Sequence, residues 1–543
     1  MIFSSPTLDC VLRSVCKKYS KKKAVIFNNE SITYRQILSY SMNLANSLAD
    51  LGIHKGDKVA IILPNCFEYL YVYFACFFLG AWATPMSTRW EREELKNVLT
   101  DSDSKMVIYQ DRIGVFNYNK ILASLRYEIP LCEYFVCKGK GLIEGAIHLS
   151  SLIHTSTSIE WQPVQSERIE ADDVAILAYT SGTTGKPKGV MIPHNTLVTT
   201  SYHTGKLWGF EGDTSFSVAP LYAAQGFLAV LIDLVSGVTM KWIENFNPND
   251  ILSEIAKKDL HVFHTQPTMW SILLSQPYFD HIDFSHLKKV IVSGSLCSYE
   301  LAKRIEERTG CTLLNAYGLI EATGVVTITR LDDPKEVRFG TVGQPIDGVE
   351  IKITDKERKE VPVGETGELA VRGYVMKGYY KNPEKTAEVI DGDGWLYTGD
   401  LAQMHEDGLN IKIVGRCKDM VIRGAFNIYP IDIEECIVQN EQVEDVSVVG
   451  RPDEILGESL IAFVIPTVDA TISPGDIKRF CRGRIANYKV PDEVHFVSQF
   501  PILLSGKIQK NVLREWAEHG IPLECMILFD DKTLSEVSLE KQF

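Results

Sequence analysis

The stretch Tyr179-Thr180-Ser181-Gly182-Thr183-Thr184-Gly185-Lys186-Pro187-Lys188-Gly189 gathers hydroxyls, glycines and two lysines directly after the strand-like run Val174 to Ala178. Glycines let a backbone approach a ligand, hydroxyls and loop amides donate to oxyanions, and lysines neutralise them, so the loop suits a polyphosphate. It is not a Walker loop: too few residues separate Gly182 from Gly185, and Pro187 follows the lysine. Further along, Asn315 and Tyr317 offer an amide for a purine edge and an aromatic face for stacking. Glu321 offers a hard carboxylate of the kind Mg²⁺ takes beside nucleotide phosphates. Asp400, expected after a Thr398-Gly399 turn, can accept from both ribose hydroxyls, and Arg416 can donate to the same sugar. Lys507, in a Ser505-Gly506-Lys507 turn, reads by itself as a solvated charge.

Something must hold these groups together, and the chain has the material for it. It has 543 residues, enough for three or four folding units, with 45% hydrophobic and 23% charged residues, the usage of a soluble globular protein. Strand-like runs such as Lys58 to Leu63 and Lys288 to Val292 alternate with helical spacing, including an amphipathic segment from Ser298 to Arg308, which predicts an α/β architecture with much parallel sheet. The most apolar stretch, Tyr69 to Ala83, is too short to cross a bilayer and predicts a buried core helix. From about Gly340, short strands between glycine turns (Val349 to Ile353, Gly367 to Arg372) predict a smaller β-rich subdomain. After Arg416 the texture changes again, and a domain boundary is expected near Lys418.

The formal charge of −14 opposes nucleic-acid binding. Twelve cysteines without a Cys-x-x-Cys pair argue against a zinc site or a disulfide framework. With no visible secretion signal, a cytoplasmic setting is expected.

The phosphate-type loop resembles the signature of the adenylate-forming superfamily, whose members include acyl-CoA synthetases and AMP-dependent acid–CoA ligases. The resemblance continues in order through Asn315-Ala316-Tyr317-Gly318-Leu319-Ile320-Glu321, Gly394-Trp395-Leu396-Tyr397-Thr398-Gly399-Asp400, Gly415-Arg416-Cys417-Lys418-Asp419 and Ser505-Gly506-Lys507-Ile508, and covers about residues 8 to 515. It implies a large N-terminal domain of two α/β lobes plus a β-rich subdomain (1–417) and a small, mobile α/β C-terminal domain (418–543). It implies that ATP is held by Thr180, Ser181, Gly182, Thr183, Thr184, Gly185, Lys186, Lys188, Asn315, Tyr317, Asp400 and Arg416, and Mg²⁺ by Glu321. Thr180, Glu321 and Lys507 would be catalytic, Lys418 the hinge, and Gly424 the wall of a tunnel for the pantetheine thiol of coenzyme A or of an acyl carrier protein. Tyr222, Ala223 and Gly294 would line the acid pocket.

The implied reaction is adenylation of a hydrophobic, fatty or aryl carboxylic acid and transfer of the acyl group to a thiol. An amino acid is disfavoured, because its ammonium would need a buried carboxylate and Pro220 to Leu231 contains none. Three departures stand out. Ile320 replaces the usual threonine, Ala223 replaces a ring, and Ala425 replaces a second glycine. Adenylation for a carrier protein and a non-catalytic nucleotide-binding role remain open beside the CoA ligase reading; luciferase-like oxidation is disfavoured. Residues 518–543 extend beyond the resemblance.

Overall fold

The structure, a computed structural model, describes residues 6–153, 168–180, 187–210, 212–243, 246–423, 426–453, 455–468, 470–502 and 507–527. The candidate residues Ser181, Gly182, Thr183, Thr184, Gly185, Lys186 and Gly424, together with Ala425, lie outside the described residues. Among those described, the apolar runs of the first 350 residues become the inner strands of two large sheets. A nine-stranded sheet runs Gln344–Pro345, Gly324–Ile328, Thr312–Leu319, Lys289–Val292, Val262–Thr265, Thr214–Ser217, Thr239–Trp242, Lys23–Phe27, Glu30–Thr33. The pairs from Thr312–Leu319 through Lys23–Phe27 are parallel. An eight-stranded sheet is parallel from Val174–Thr180 through Ile147–His148 and ends in two antiparallel edge strands, Lys188–Pro193 and Gly378–Tyr379.

Parallel strands buried on both faces need apolar cover, and the helix Phe67–Leu79 supplies it. Every residue from Tyr69 to Leu79 is buried, so it has no polar face. Gly80, at φ +69, ends the helix, and Trp82–Pro85 continues as a strand, so the apolar stretch divides into helix and strand. Ser298 caps the helix Tyr299–Thr309, its hydroxyl accepting from the Leu301 amide at 3.3 Å.

The β-rich segment is a four-stranded antiparallel sheet of Glu350–Thr354, Thr366–Arg372, Leu396–Met404 and Ile411–Arg416. A single turn, Cys417–Asp419, leads into a smaller unit with its own core, in which Val443–Asp453 and Gly457–Pro466 form the central pair and Pro430–Ile437 packs against them. No described helix is long and apolar enough to cross a membrane.

Candidate active site

Thr180 and Lys188 are direct partners at the mouth of an antiparallel hairpin, so both side chains of the phosphate-type loop that are described here start from a fixed register. Gly189 lies in the strand, where a Cβ would come within 3.1 Å of the Tyr179 ring, so it serves close packing. The hairpin's outer edge is closed by a segment far along the chain. The Lys377 amide donates to the Met191 carbonyl (2.9 Å), the Tyr380 amide to Gly189 (2.7 Å), and the Met376 amide to the Glu321 carbonyl (2.7 Å). Tyr379, between them, donates its hydroxyl to Glu321 Oε1 at 3.1 Å and lays its ring 4.9 Å from the Lys188 ammonium. One tyrosine thus joins the phosphate hairpin to the carboxylate.

Asp400 does not follow a turn as expected. It lies within the nine-residue strand Leu396–Met404, and Gly399, at φ +71, marks an irregularity in the ladder, its amide donating to Glu368 Oε1 at 2.9 Å. The displaced backbone aims Asp400 at Arg416, its direct cross-strand partner, with Arg416 Nε 3.1 Å from Oδ1. The Tyr317 hydroxyl donates to Asp400 Oδ2 at 2.7 Å, and burial with this carboxylate raises the phenol's pKa.

Lys507 faces this cluster from the small domain. Its loop is closed at the base by the Ile502–Ile508 bridge and by the Gln509 amide donating to Pro501 at 2.8 Å. Burial, then the Arg416 guanidinium, lowers the ammonium to about 8, with Asp400 opposing, Lys418 adding to the fall and Asp419 opposing. Three cations therefore meet two carboxylates, one of which, Asp419, is also paired with Arg514 at 2.5 Å. The balance favours an anion.

Asn315 is 3% exposed; its main-chain amide donates to Thr329 Oγ1 (2.9 Å), and its side-chain nitrogen donates one of its two N–H groups to the Thr341 carbonyl (3.1 Å). Gly318 is held by an equally close approach, since a Cβ would lie 1.9 Å from the Gly324 carbonyl oxygen.

Of the residues expected at the acid pocket, Tyr222 packs against the main core and Ala223 precedes the helix Ala224–Ser236, while Gly294, at φ +88, follows the strand Lys289–Val292. The sequence reading missed Tyr379, Gln225 and Gln266. Only the dense run Met376-Lys377-Gly378-Tyr379-Tyr380 could have hinted at the first.

The profile of the AMP-binding enzyme family matches residues 12–380, and that of the AMP-binding enzyme C-terminal domain matches residues 432–507. The chain belongs to the AMP-binding enzymes. A provisionally named acyl-CoA synthetase of Bacillus subtilis is 36% identical over 532 residues, covering 94% of this AMP-binding enzyme and 96% of the relative. The medium-chain fatty-acid–CoA ligase of Escherichia coli is 32% identical, covering 91% and 87%. The crystal structure of ATP-bound MatB from Rhodopseudomonas palustris superposes with a TM-score of 0.85 at 30% identity, covering 94% and 99%. The mixed α/β fold with a large N-terminal and a small C-terminal domain agrees with that neighbour.

Within this AMP-binding enzyme, Ile320 packs against the main apolar core, which gives the missing hydroxyl a physical reason. Glu321, beside it, fits the modest demand of Mg²⁺. No group of three His, Cys, Asp or Glu among the described residues could cage a metal, and Mg²⁺ is commonly held by one or two carboxylates plus substrate phosphates.

Proposed function

We infer that this AMP-binding enzyme is an AMP-forming acyl-CoA synthetase: it adenylates a hydrophobic, fatty or aryl carboxylic acid with ATP and passes the acyl group to the thiol of CoA, releasing AMP and pyrophosphate. The observation that carries the reading is Lys507, brought from the second domain to the Tyr317–Asp400–Arg416 cluster. When one anion attacks another, the carboxylate oxygen forms its bond to the α-phosphorus as pyrophosphate departs. The ammonium at this point offsets the charge that gathers there.

The remaining roles follow from position. Thr180 and Lys188, with residues 181–186 between them, cradle the phosphates. Tyr317 gives a face for adenine, while Asp400 and Arg416 hold the ribose. Glu321, oriented by Tyr379, would hold Mg²⁺, which would supply positive charge to offset that of the phosphates. The domain boundary falls at the Cys417–Asp419 turn, with Lys418 as the hinge on which the small domain moves and Gly424 beside the thiol's path. In the second half-reaction the thiol sulfur attacks the acyl carbonyl and AMP leaves. Tyr222, Ala223 and Gly294 border the acid, and the medium-chain fatty-acid ligase among the relatives supports a hydrophobic chain. The twelve free cysteines support a reducing, cytoplasmic setting.

The test is ATP–pyrophosphate exchange across a panel of carboxylic acids, followed by thioester formation with free CoA and with a carrier-linked pantetheine. Exchange stimulated by fatty or aryl acids and a CoA thioester are expected. Exchange with amino acids alone, or thioester formed only on the carrier, would overturn the reading.

A further inference from the structure

The loops that leave the carboxyl ends of three adjacent parallel strands meet on the acid side of the site. Thr214–Ser217 leads to Tyr222 and Ala223, Val262–Thr265 to Gln266, and Lys289–Val292 to Ser293 and Gly294. The carboxyl edge of an open parallel sheet is where such folds gather their ligands. Here it presents two glutamines.

Their hydrogen bonds fix how each amide is turned. Gln225, in the first turn of Ala224–Ser236, brings one end of its amide to the Thr265 carbonyl (3.1 Å) and to Ser293 Oγ (3.2 Å). A main-chain carbonyl only accepts, so that end is Nε2 and the other is oxygen. The Gln266 atom 2.6 Å from this oxygen must then be its donor, Nε2. The leftover end, Gln266 Oε1, is an acceptor with no partner among the described residues, on a side chain that is 4% exposed. Enclosed carbonyl oxygens without a donor are uncommon, because water lost on burial is normally replaced.

Gly294 lies against the amide pair. A Cβ on Gly294 would stand 3.6 Å from Gln266 Cγ and Nε2 and 3.7 Å from Gln225 Oε1, and the positive φ reserves the position for glycine. Ala223, on the adjoining loop, offers only a methyl group.

We propose that the Gln225–Gln266 amide pair selects the acid: the enzyme prefers a carboxylic acid whose chain or ring carries a neutral hydrogen-bond donor, a hydroxyl or an N–H, over the plain hydrocarbon acid of the same skeleton. The donor meets Gln266 Oε1, and Gln225 holds that oxygen in place. This rests on the acid–CoA ligase reading above and specifies its substrate class. A site that hydrogen-bonds a substrate group rejects the analogue lacking it far more strongly than an apolar pocket separates chains of different length.

The experiment measures kcat/KM for pyrophosphate release with octanoate against the hydroxyoctanoates, and with benzoate against its ortho-, meta- and para-hydroxy isomers. The wild-type enzyme is expected to favour at least one hydroxy acid over its parent by about tenfold or more, and Gln266→Met to bring that ratio close to one. The ratio is taken within one variant, so a general loss of stability cancels. If Gln266→Met does not fold, the half-buried Gln225→Met must lose the preference in its place. Equal or better use of every parent acid by the wild type, or a preference that survives in the folded variant, overturns the proposal. Turnover of plain acids without a hydroxy preference would sink this inference alone, whereas no CoA-dependent turnover of any acid would sink the ligase reading beneath it.

Discussion

Thr180, Lys188, Glu321 and Tyr379 are tied into one site by main-chain ladders, whereas Lys507 reaches the same site on a loop of a domain joined through one turn. The ladders bury their strands against helices, and their many hydrogen bonds act together. Across the junction the side-chain ties are Lys412 to Glu435 at 3.0 Å and the charges of Arg304 and Glu444. Partly exposed ion pairs are worth about 0–1 kcal/mol each and weaken with salt. On the proposed reading, the phosphate side keeps one geometry while the lysine side is delivered and withdrawn. That division suits a two-step reaction in which one group is needed only for the first step.

The sharpest way to break the contrast is Lys507→Ala. Adenylate formation should fall by about 10²–10³, while pre-formed acyl-adenylate still reaches the thioester; Gly424→Leu should do the reverse. Equal loss of both half-reactions in folded Lys507→Ala protein, judged by circular dichroism, would mean that the domain does not alternate.

The pH profile comes next in size. Lys507 is lowered to about 8 and must be protonated to offset charge, so its contribution is complete well below that value and is lost as pH rises through it. The kcat/KM for pyrophosphate exchange should drop about tenfold per unit above pH 8, and Lys507→Arg should move that limb upward. A limb that stays put in Lys507→Arg would assign the titration to another group.

On the rigid side, Glu321→Gln should raise several-fold the Mg²⁺ needed for half-maximal pyrophosphate release, because the ion loses an anionic anchor. An unchanged Mg²⁺ titration would remove Glu321 from the metal. The smallest effect is expected at the junction. Glu435→Gln should change the balance of half-reactions by about threefold or less, and the change should vanish in high salt. A larger, salt-insensitive effect would mean that the junction is packed as firmly as the ladders.

How far the sequence discloses this site depends on how local each cause is. The alternating strands and helices are legible because apolar periodicity is a property of neighbouring residues, as in Lys58–Ile62 and Tyr299–Thr309. Thr398-Gly399-Asp400 reads as a turn because a glycine at positive φ is common to turns and to irregular strands, and only the ladder with Thr366–Arg372 tells them apart. Tyr379 and the glutamines escape notice for another reason: their partners Glu321, Thr265 and Ser293 are distant in the chain, and no spacing announces them.

The edge strand Gly378–Tyr379 has a consequence for the order in which the protein is made. Lys377 is ion-paired to Asp172, 205 residues earlier, beside the hairpin that the strand closes. The entropy of closing so long a loop grows only slowly with its length, but the contact cannot exist before residue 380 has left the ribosome. Until then the nascent chain carries its phosphate hairpin without an outer neighbour, and Glu321 without the Tyr379 hydroxyl. On the proposed reading the nucleotide site is therefore incomplete while the early-made lobes fold, and chains that stall before that point are expected to bind ATP more weakly than the full chain.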